Sequence, residues 1–282
     1  MVNIRPLENW PERLLEIPDK PKKMYIAGDF PEGEVKYLAV VGSRKHSNYG
    51  RVACERIIEG LRGYPVVIIS GLALGIDSLA HEAALRAGLK TIAVPGSGLS
   101  EKAIYPKSNF ILANKILKAG GCLLSEFEPD FQATNWSFPM RNRIMAALSD
   151  AVLLIEAQEK SGTLITARLA MDYNRDVLVV PGEIFSETST GTNMLLKDGA
   201  HPCLGTKEVL EFLGFKEQKQ VDKNYDDCTD VEKELLKLLY EPISKEELMQ
   251  KYEGSATELN TALSLLELKG HIEETLGEIR KI

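Results

Sequence analysis

Glycine-punctuated corners and a few cations are the residues in this sequence whose type and spacing suit chemistry. In the stretch Val66–Leu85, a β-branched apolar run stops at Ser70-Gly71 and a small-residue loop passes through Ala73, Leu74 and Gly75. Asp77 then opens a segment with Leu79, Ala80, Ala83, Ala84 and Leu85 at helical spacing. A strand, a glycine turn and a helix in this order let the backbone approach a ligand closely and aim the amides of the helix start at it, which suits phosphate. Standing alone, such a corner is equally a tight turn that binds nothing. Further corners follow the same plan at Gly42-Ser43-Arg44, at Gly96 and Gly98, at Ser161-Gly162-Thr163 beyond Glu156, and at Pro181-Gly182. Between them lies FPMRNRIMAAL (138–148), where Arg141 and Arg143 are expected at a helix entrance on either side of Asn142. Two cations there oppose the helix dipole, a cost that an anion would offset. Lys107 and Arg44 add charge to the same edge, and Phe138 is placed to stack a base.

Candidates for catalysis are weaker. His81 lies four residues past Asp77, a pair better read as a helix-capping acid and a packed imidazole than as an acid–base couple. Glu156 at a strand end is the one general-base candidate. Ser43 has no His/Asp partners and reads as an N-cap or a phosphate donor. Neither GxGxxG with a later acidic residue nor GxxxxGK[ST] occurs, which disfavours a dinucleotide enzyme or P-loop ATPase. Cys54, Cys122, Cys203 and Cys228 form no CxxC pair, so neither zinc nor disulfides are expected, and no catalytic residue, metal or cofactor is assigned.

The elements that must hold these residues alternate. Strands are predicted at Tyr37–Val41, Val66–Ile69, Thr91–Val94, Cys122–Ser125, Ala151–Glu156 and Val177–Val180, with helices over about 48–61, 76–87 and 108–118. This is an α/β pattern: a parallel sheet with helices on both faces, its ligands at the carboxyl ends of the strands. The proline-rich residues 1–36 read as a lead-in packed on the main domain, 37–214.

After Gly214 the polar run KEQKQVDKNYDD suggests a linker, 215–225, before a small domain over 226–282. That domain reads as a winged-helix arrangement: a helix over Val231–Leu239, two more capped by Ser244 and Ser255, and a hairpin around Leu276-Gly277. Leu259, Ala262, Leu263, Leu266 and Leu268 are expected to face inward. Of 282 residues with net charge −7, those from Asp226 onward carry seven Lys+Arg against fourteen Asp+Glu, leaving 27 of each sign upstream. An acidic third helix is a poor duplex reader, so a protein-contact or regulatory role is expected there. With 44% hydrophobic residues, no secretory pattern and no membrane-length apolar run, the chain reads as a globular cytoplasmic protein.

The segments AVVGSR (39–44), SGLALGIDSLAH (70–81), IAVPGSGL (92–99), IYPKSN (104–109), FPMRNRIMAALSD (138–150), EAQEKSGTLITARLA (156–170) and VVPGEIFSETSTGTNMLLKDGA (179–200) resemble the DprA/Smf family, in its order, over almost all of 37–205. The resemblance implies an extended Rossmann-like fold with a mostly parallel sheet, in a non-catalytic protein that binds single-stranded DNA, protects it and helps load the RecA recombinase in natural transformation, with a homodimer formed through the Rossmann domain. It implies a DNA pocket using Arg44, Lys107, Arg141 and Arg143 with Asn142 and glycine-rich backbone. The helical N-terminal domain of longer members has no counterpart in 1–36. The alternative is a nucleotide-processing hydrolase like the lysine-decarboxylase-like (LOG) phosphoribohydrolases. In those, PGGxGTxxE supplies a catalytic glutamate; here Gly162-Thr163-Leu164-Ile165 leads to Thr166.

Overall fold

The computed structural model describes residues 3–215, 225, 227–239, 243–275 and 277–281. It divides into two compact units, 1–217 and 218–282. The linker expected over 215–225 therefore lies, but for its two end residues, outside the described residues, as does Leu276 of the predicted hairpin turn.

The large unit is built on a nine-stranded sheet. Its strands are β1 (Ile4–Pro6), β2 (Tyr25–Gly28), β3 (Lys36–Val41), β4 (Val66–Ser70), β5 (Thr91–Ala93), β6 (Cys122–Ser125), β7 (Ala151–Leu154), β8 (Asp176–Val179) and β9 (His201–Pro202), in the spatial order β1-β2-β6-β5-β4-β3-β7-β8-β9. From β6 to β9 every pairing is parallel, whereas β2 runs antiparallel to β6 and β1 antiparallel to β2. Residues 1–36 thus hold more than a lead-in, since they extend the sheet by two edge strands. Pro6 is tolerated because β1 is the outermost strand and needs no amide on its free side.

The helices are α1 (Glu12–Glu16), α2 (Asn48–Glu59), α3 (Ile76–Arg86), α4 (Phe110–Lys118), α5 (Ser137–Leu148), α6 (Thr163–Asp172), α7 (Thr190–Lys197) and α8 (Thr206–Phe212). Strand residues alternate between two cores, as a sheet covered on both faces requires. Ala39, Val41, Ile69 and Leu154 pack with Leu14 of α1, Ile144 of α5 and Ala167 of α6. Leu38, Val40, Ile68 and Leu153 pack with Ile58 of α2, Ala80 of α3 and Val209 of α8. The chain winds outward from β3 to β6 and then returns to lay β7 against the other side of β3. The strand order reverses there, and helices leaving neighbouring strands diverge to open a crevice.

The small unit contains α9 (Asp230–Leu238), α10 (Lys245–Lys251) and α11 (Ala256–Leu268), with β10 (Ile243–Ser244), β11 (Ile272–Thr275) and β12 (Glu278–Lys281) in an antiparallel sheet ordered β10-β12-β11. Thr229 and Ser255 start their helices with capping boxes to Glu232 and Glu258, and Ser244 caps α10. Leu259, Ala262, Leu263 and Leu266 are buried as expected, but Leu268 is 84% exposed. It falls one residue before the C-cap Lys269, where the helix has passed the end of its core. No helix among the described residues is long and apolar enough to cross a membrane.

Candidate nucleic-acid interface

A cleft of about 470 Å³ lies at the carboxyl ends of β3 and β7, where the strand order reverses. The corner after β3 supplies Gly42, Ser43, Arg44 and Lys45. The loop entering α6 supplies Ser161, Gly162 and Thr163, and α5 supplies Phe138, Arg141 and Asn142. A small adjoining hollow shares Arg44, Phe138 and Arg141 and adds Gly71, Leu74 and Tyr105.

Two classes of residue meet in the cleft. Exposed Arg44 lies over the Phe138 ring, with its guanidinium carbon 5.0 Å from the centroid, and Tyr105 packs against the same ring at 5.8 Å. Leu74 and Tyr105 are each half exposed beside them, so the lip offers flat apolar surface next to an exposed cation. The floor is rigid. Arg141 is only 4% exposed, and its Nη1 donates to the carbonyls of Gly71 (2.5 Å) and Val94, stitching the ends of β4 and β5. Its Nε donates to Asn142 Oδ1 at 3.1 Å, and Asn142 Nδ2 donates to Gly162 O at 3.3 Å. Burial lowers the Arg141 pKa to about 10, while the nearby Asp77 carboxylate favours its charge. Ser43 closes its own turn through Lys45, with its Oγ donating to Lys45 O at 2.9 Å.

The corner after β4, the strongest phosphate candidate in the sequence, is closed by the protein itself. Asp77 is buried, and its Oδ2 accepts the amides of Gly71 (3.1 Å) and Ala73 (3.4 Å). It clasps the loop, and the N-cap of α3 is Gly75 instead. Ile76 N–H donates to Ser43 O at 3.1 Å. Burial pushes the Asp77 carboxyl up, and the Arg141 guanidinium opposes that rise. Gly75, at φ +81°, is required by close packing: a Cβ there would lie 2.3 Å from Ser43 O. At Gly71 it would lie 1.8 Å from Arg141 Nη1. Ser70 is fully buried and donates to Val40 O at 2.7 Å.

Four other expected residues also stand outside the cleft. Gly96 makes room for the Phe138 ring, and Gly98 for the backbone at Glu128 and Pro129. Arg143, 4% exposed, forms an ion pair with Glu126 and lies 3.6 Å from Asp19. Helix α5 begins at Ser137, so both arginines sit in its second turn, and residues two apart on a helix face different ways. Lys107 is exposed beside Tyr105-Pro106, beyond the lining of either cavity. Lys45, Gln158 and Thr166 line the cleft although the sequence reading did not single them out for it. For Lys45 the signal was its place directly after Arg44.

The candidate catalytic groups are spent on structure. Glu156 accepts from Ser47 N (2.9 Å), Ser47 Oγ (2.6 Å) and Thr188 Oγ1 (3.2 Å), joining the start of α2 to the loop before α7. His81 Nδ1 lies 2.7 Å from Thr91 Oγ1 in the core, and burial lowers its pKa to about 3.

A family model described as DNA recombination-mediator protein A matches residues 3–214. Protein Smf of Escherichia coli is 42% identical over 212 residues, 74% of this chain and 55% of that protein. DNA processing protein DprA of Streptococcus pneumoniae is 42% identical over 201 residues, 71% of this chain and 70% of that one. The chain therefore spans little more than half the length of the E. coli relative. The X-ray structure of the S. pneumoniae protein superimposes with a TM-score of 0.67 at 38% identity, covering 77% of this chain and 75% of that one. A structure of DNA processing protein A from Helicobacter pylori, described for its single-stranded DNA binding mode, superimposes with a TM-score of 0.67 at 35% identity. It covers 75% of this chain and 96% of that one. With a family match over residues 3–214, 42% identity to a relative covered over 70% of its length, and superposition on solved structures of that family, the chain belongs to the DprA/Smf family of DNA recombination-mediator proteins.

Proposed function

We propose that the chain binds single-stranded DNA in the cleft between β3 and β7, protects it, and passes it to a RecA-type recombinase during natural transformation. The observation that carries this reading is Arg44 poised over Phe138 at the lip, a cation for phosphate beside an aromatic face for a base. Lys45 and the hydroxyls of Ser43, Ser161 and Thr163 line the path, with Lys107 beyond the lip as a further phosphate contact. The likeness to the H. pylori protein supports the choice of a single strand over a duplex. Buried Arg141 shapes the floor and adds positive potential there, partly offset by Asp77.

The protein acts without catalysis in this reading. Asp77 is the one carboxylate among the described residues lining the cleft, and its oxygen is committed to backbone amides. Self-association through the large unit and a cytoplasmic setting complete the proposal. Titration of labelled single- and double-stranded oligonucleotides at several salt concentrations tests it. Single strands should bind more tightly, with log K falling by about 0.7 per neutralised phosphate for each unit of log salt. Duplex preference or a flat salt response would overturn the reading, as would release of free base from nucleoside monophosphates for the non-catalytic part.

A further inference from the structure

Within the small unit, three side chains come together that have no part in the function proposed for the large unit. Asp227 and Cys228 precede α9, and His271 opens the β11–β12 hairpin. His271 Nε2 lies 3.1 and 3.2 Å from the two carboxylate oxygens of Asp227, and Cys228 Sγ lies 3.7 Å from Oδ1. One donor atom from each residue falls within 4.8 Å of the other two. Tetrahedral zinc, with Zn–S near 2.3 Å and Zn–N or Zn–O near 2.0–2.1 Å, spaces its ligands roughly 3.3–3.6 Å apart. The group needs only small adjustments to reach that spacing.

Its surroundings suit a cation. Cys228 is 6% exposed, and the His271 backbone is fixed by its amide donating to Leu266 O at 2.9 Å. The Tyr225 ring meets the imidazole edge-on at 5.1 Å. Two lysines are near: Lys281 Nζ sits over the Tyr225 ring, 4.9 Å from its centroid, and Lys269 is already matched, its Nζ bonding both oxygens of fully buried Glu232 at 2.8 and 2.9 Å. The same ammonium holds Asp227 O at 2.5 Å, anchoring the loop that carries two of the three groups. With Lys269 balanced by Glu232, the Asp227 carboxylate and a Cys228 thiolate together neutralise a divalent ion. The other three cysteines are core residues of the large unit.

We propose that Asp227, Cys228 and His271 form a three-ligand site for zinc, with water in the fourth position. The sulfur, imidazole and carboxylate set selects zinc over magnesium or calcium, and binding releases the thiol proton to solvent with no change of oxidation state. The ion staples the start of the small unit to its hairpin across a separation of 44 residues between Asp227 and His271. A small domain with a modest core gains most from such a closure.

The test is titration of the chelator-treated full chain with cobalt(II), followed by zinc. We expect one equivalent of cobalt to give a sulfur-to-metal charge-transfer band that zinc then displaces. Cys228→Ser, nearly isosteric, should lose that band, while Cys54→Ser keeps it. Asp227→Asn and His271→Gln should each weaken binding by roughly tenfold or more, and added zinc should raise the Tm of the parent but not of Cys228→Ser. Absence of the band in the folded parent, its survival in Cys228→Ser, or equal displacement by magnesium would overturn the proposal.

Discussion

Two corners of the large unit follow one plan, a strand leading into small residues and then a helix, yet they end in opposite conditions. After β4 the amides of Gly71 and Ala73 bond Asp77, the Ile76 amide bonds Ser43 O, and Asn109 Nδ2 donates to the carbonyls of Leu72 (2.8 Å) and Ala73 (3.2 Å). Approaching α6, the loop amide of Thr163 donates to Ser161 Oγ at 3.2 Å, side-chain bonds from Asn142 to Gly162 O (3.3 Å) and from Thr163 to Gly42 O (3.2 Å) tie the loop to the cleft, and the space a Cβ would take at Gly162 is empty to 4 Å. The first corner is a joint between elements that reaches the cleft only through Ala73 and Asp77, and the second is a wall of the cleft. A glycine loop is thus sorted by what its backbone bonds and meets, which its composition does not reveal.

The sharpest way to break this comparison is substitution of its glycines. Gly75→Ala should cost about 3 kcal/mol or more, since it places a side chain at a glycine-only φ and against Ser43 O, and Gly71→Ala should cost a comparable amount by displacing Arg141. Gly162→Ala, at an ordinary helical φ of −59°, should be neutral or stabilising by about 0.5 kcal/mol. Denaturant melts of the three variants decide it; equal losses would erase the distinction.

Arg143→Ala should destabilise by about 3 kcal/mol because it strands the largely shielded Glu126 carboxylate, yet leave the salt slope of DNA binding unchanged. A reduced slope would return Arg143 to the cleft. The closed corner also predicts a pH effect through His81 on α3. Its folded pKa of about 3 lies below the ordinary 6.5, so between those values the unfolded chain binds a proton that the folded one refuses. Stability should therefore fall by about 1.4 kcal/mol per pH unit on acidification below pH 6.5, and His81→Leu should flatten that dependence in melts taken across the window.

The smallest effect on the fold is expected at the open side. Arg44→Ala should leave the melting curve within about 0.5 kcal/mol of the parent, while weakening single-strand binding and reducing the magnitude of its salt slope by about 0.7. Unchanged affinity and slope would remove Arg44 from the proposed contact.

The six inner strands were legible because each is a short apolar run bounded by turn residues. Strands β1 and β2 were not, since Ile4–Pro6 and Tyr25–Gly28 are brief, lie among prolines and pair in the antiparallel sense at an edge. Gly42, Arg44, Phe138, Asn142 and Gly162 were assigned to the cleft edge from sequence, and they line it. Arg143 was misplaced because its partners, Glu126 and Asp19, are distant in sequence, although the two-residue spacing from Arg141 already implied opposite faces. Asp77 was read as a helix cap because an acid near a helix start usually caps; no local pattern distinguishes a carboxylate that folds back onto the preceding loop.

The pairing of β3 with β7 has a consequence for how the molecule is made. Strands β3 to β6 can be laid down in succession as the chain emerges, but β7 joins beside the first of them, and the Tyr37 amide meets the Asp150 carboxylate across 113 residues. Closing so long a loop comes late, and the cleft lacks the wall built by the loop entering α6 until it does. During synthesis, which delivers the N-terminal half first, a nascent chain halted before Leu154 would hold the Arg44 corner but not the wall opposite it. It would expose the apolar flank of β3 to chaperones and to other nascent chains.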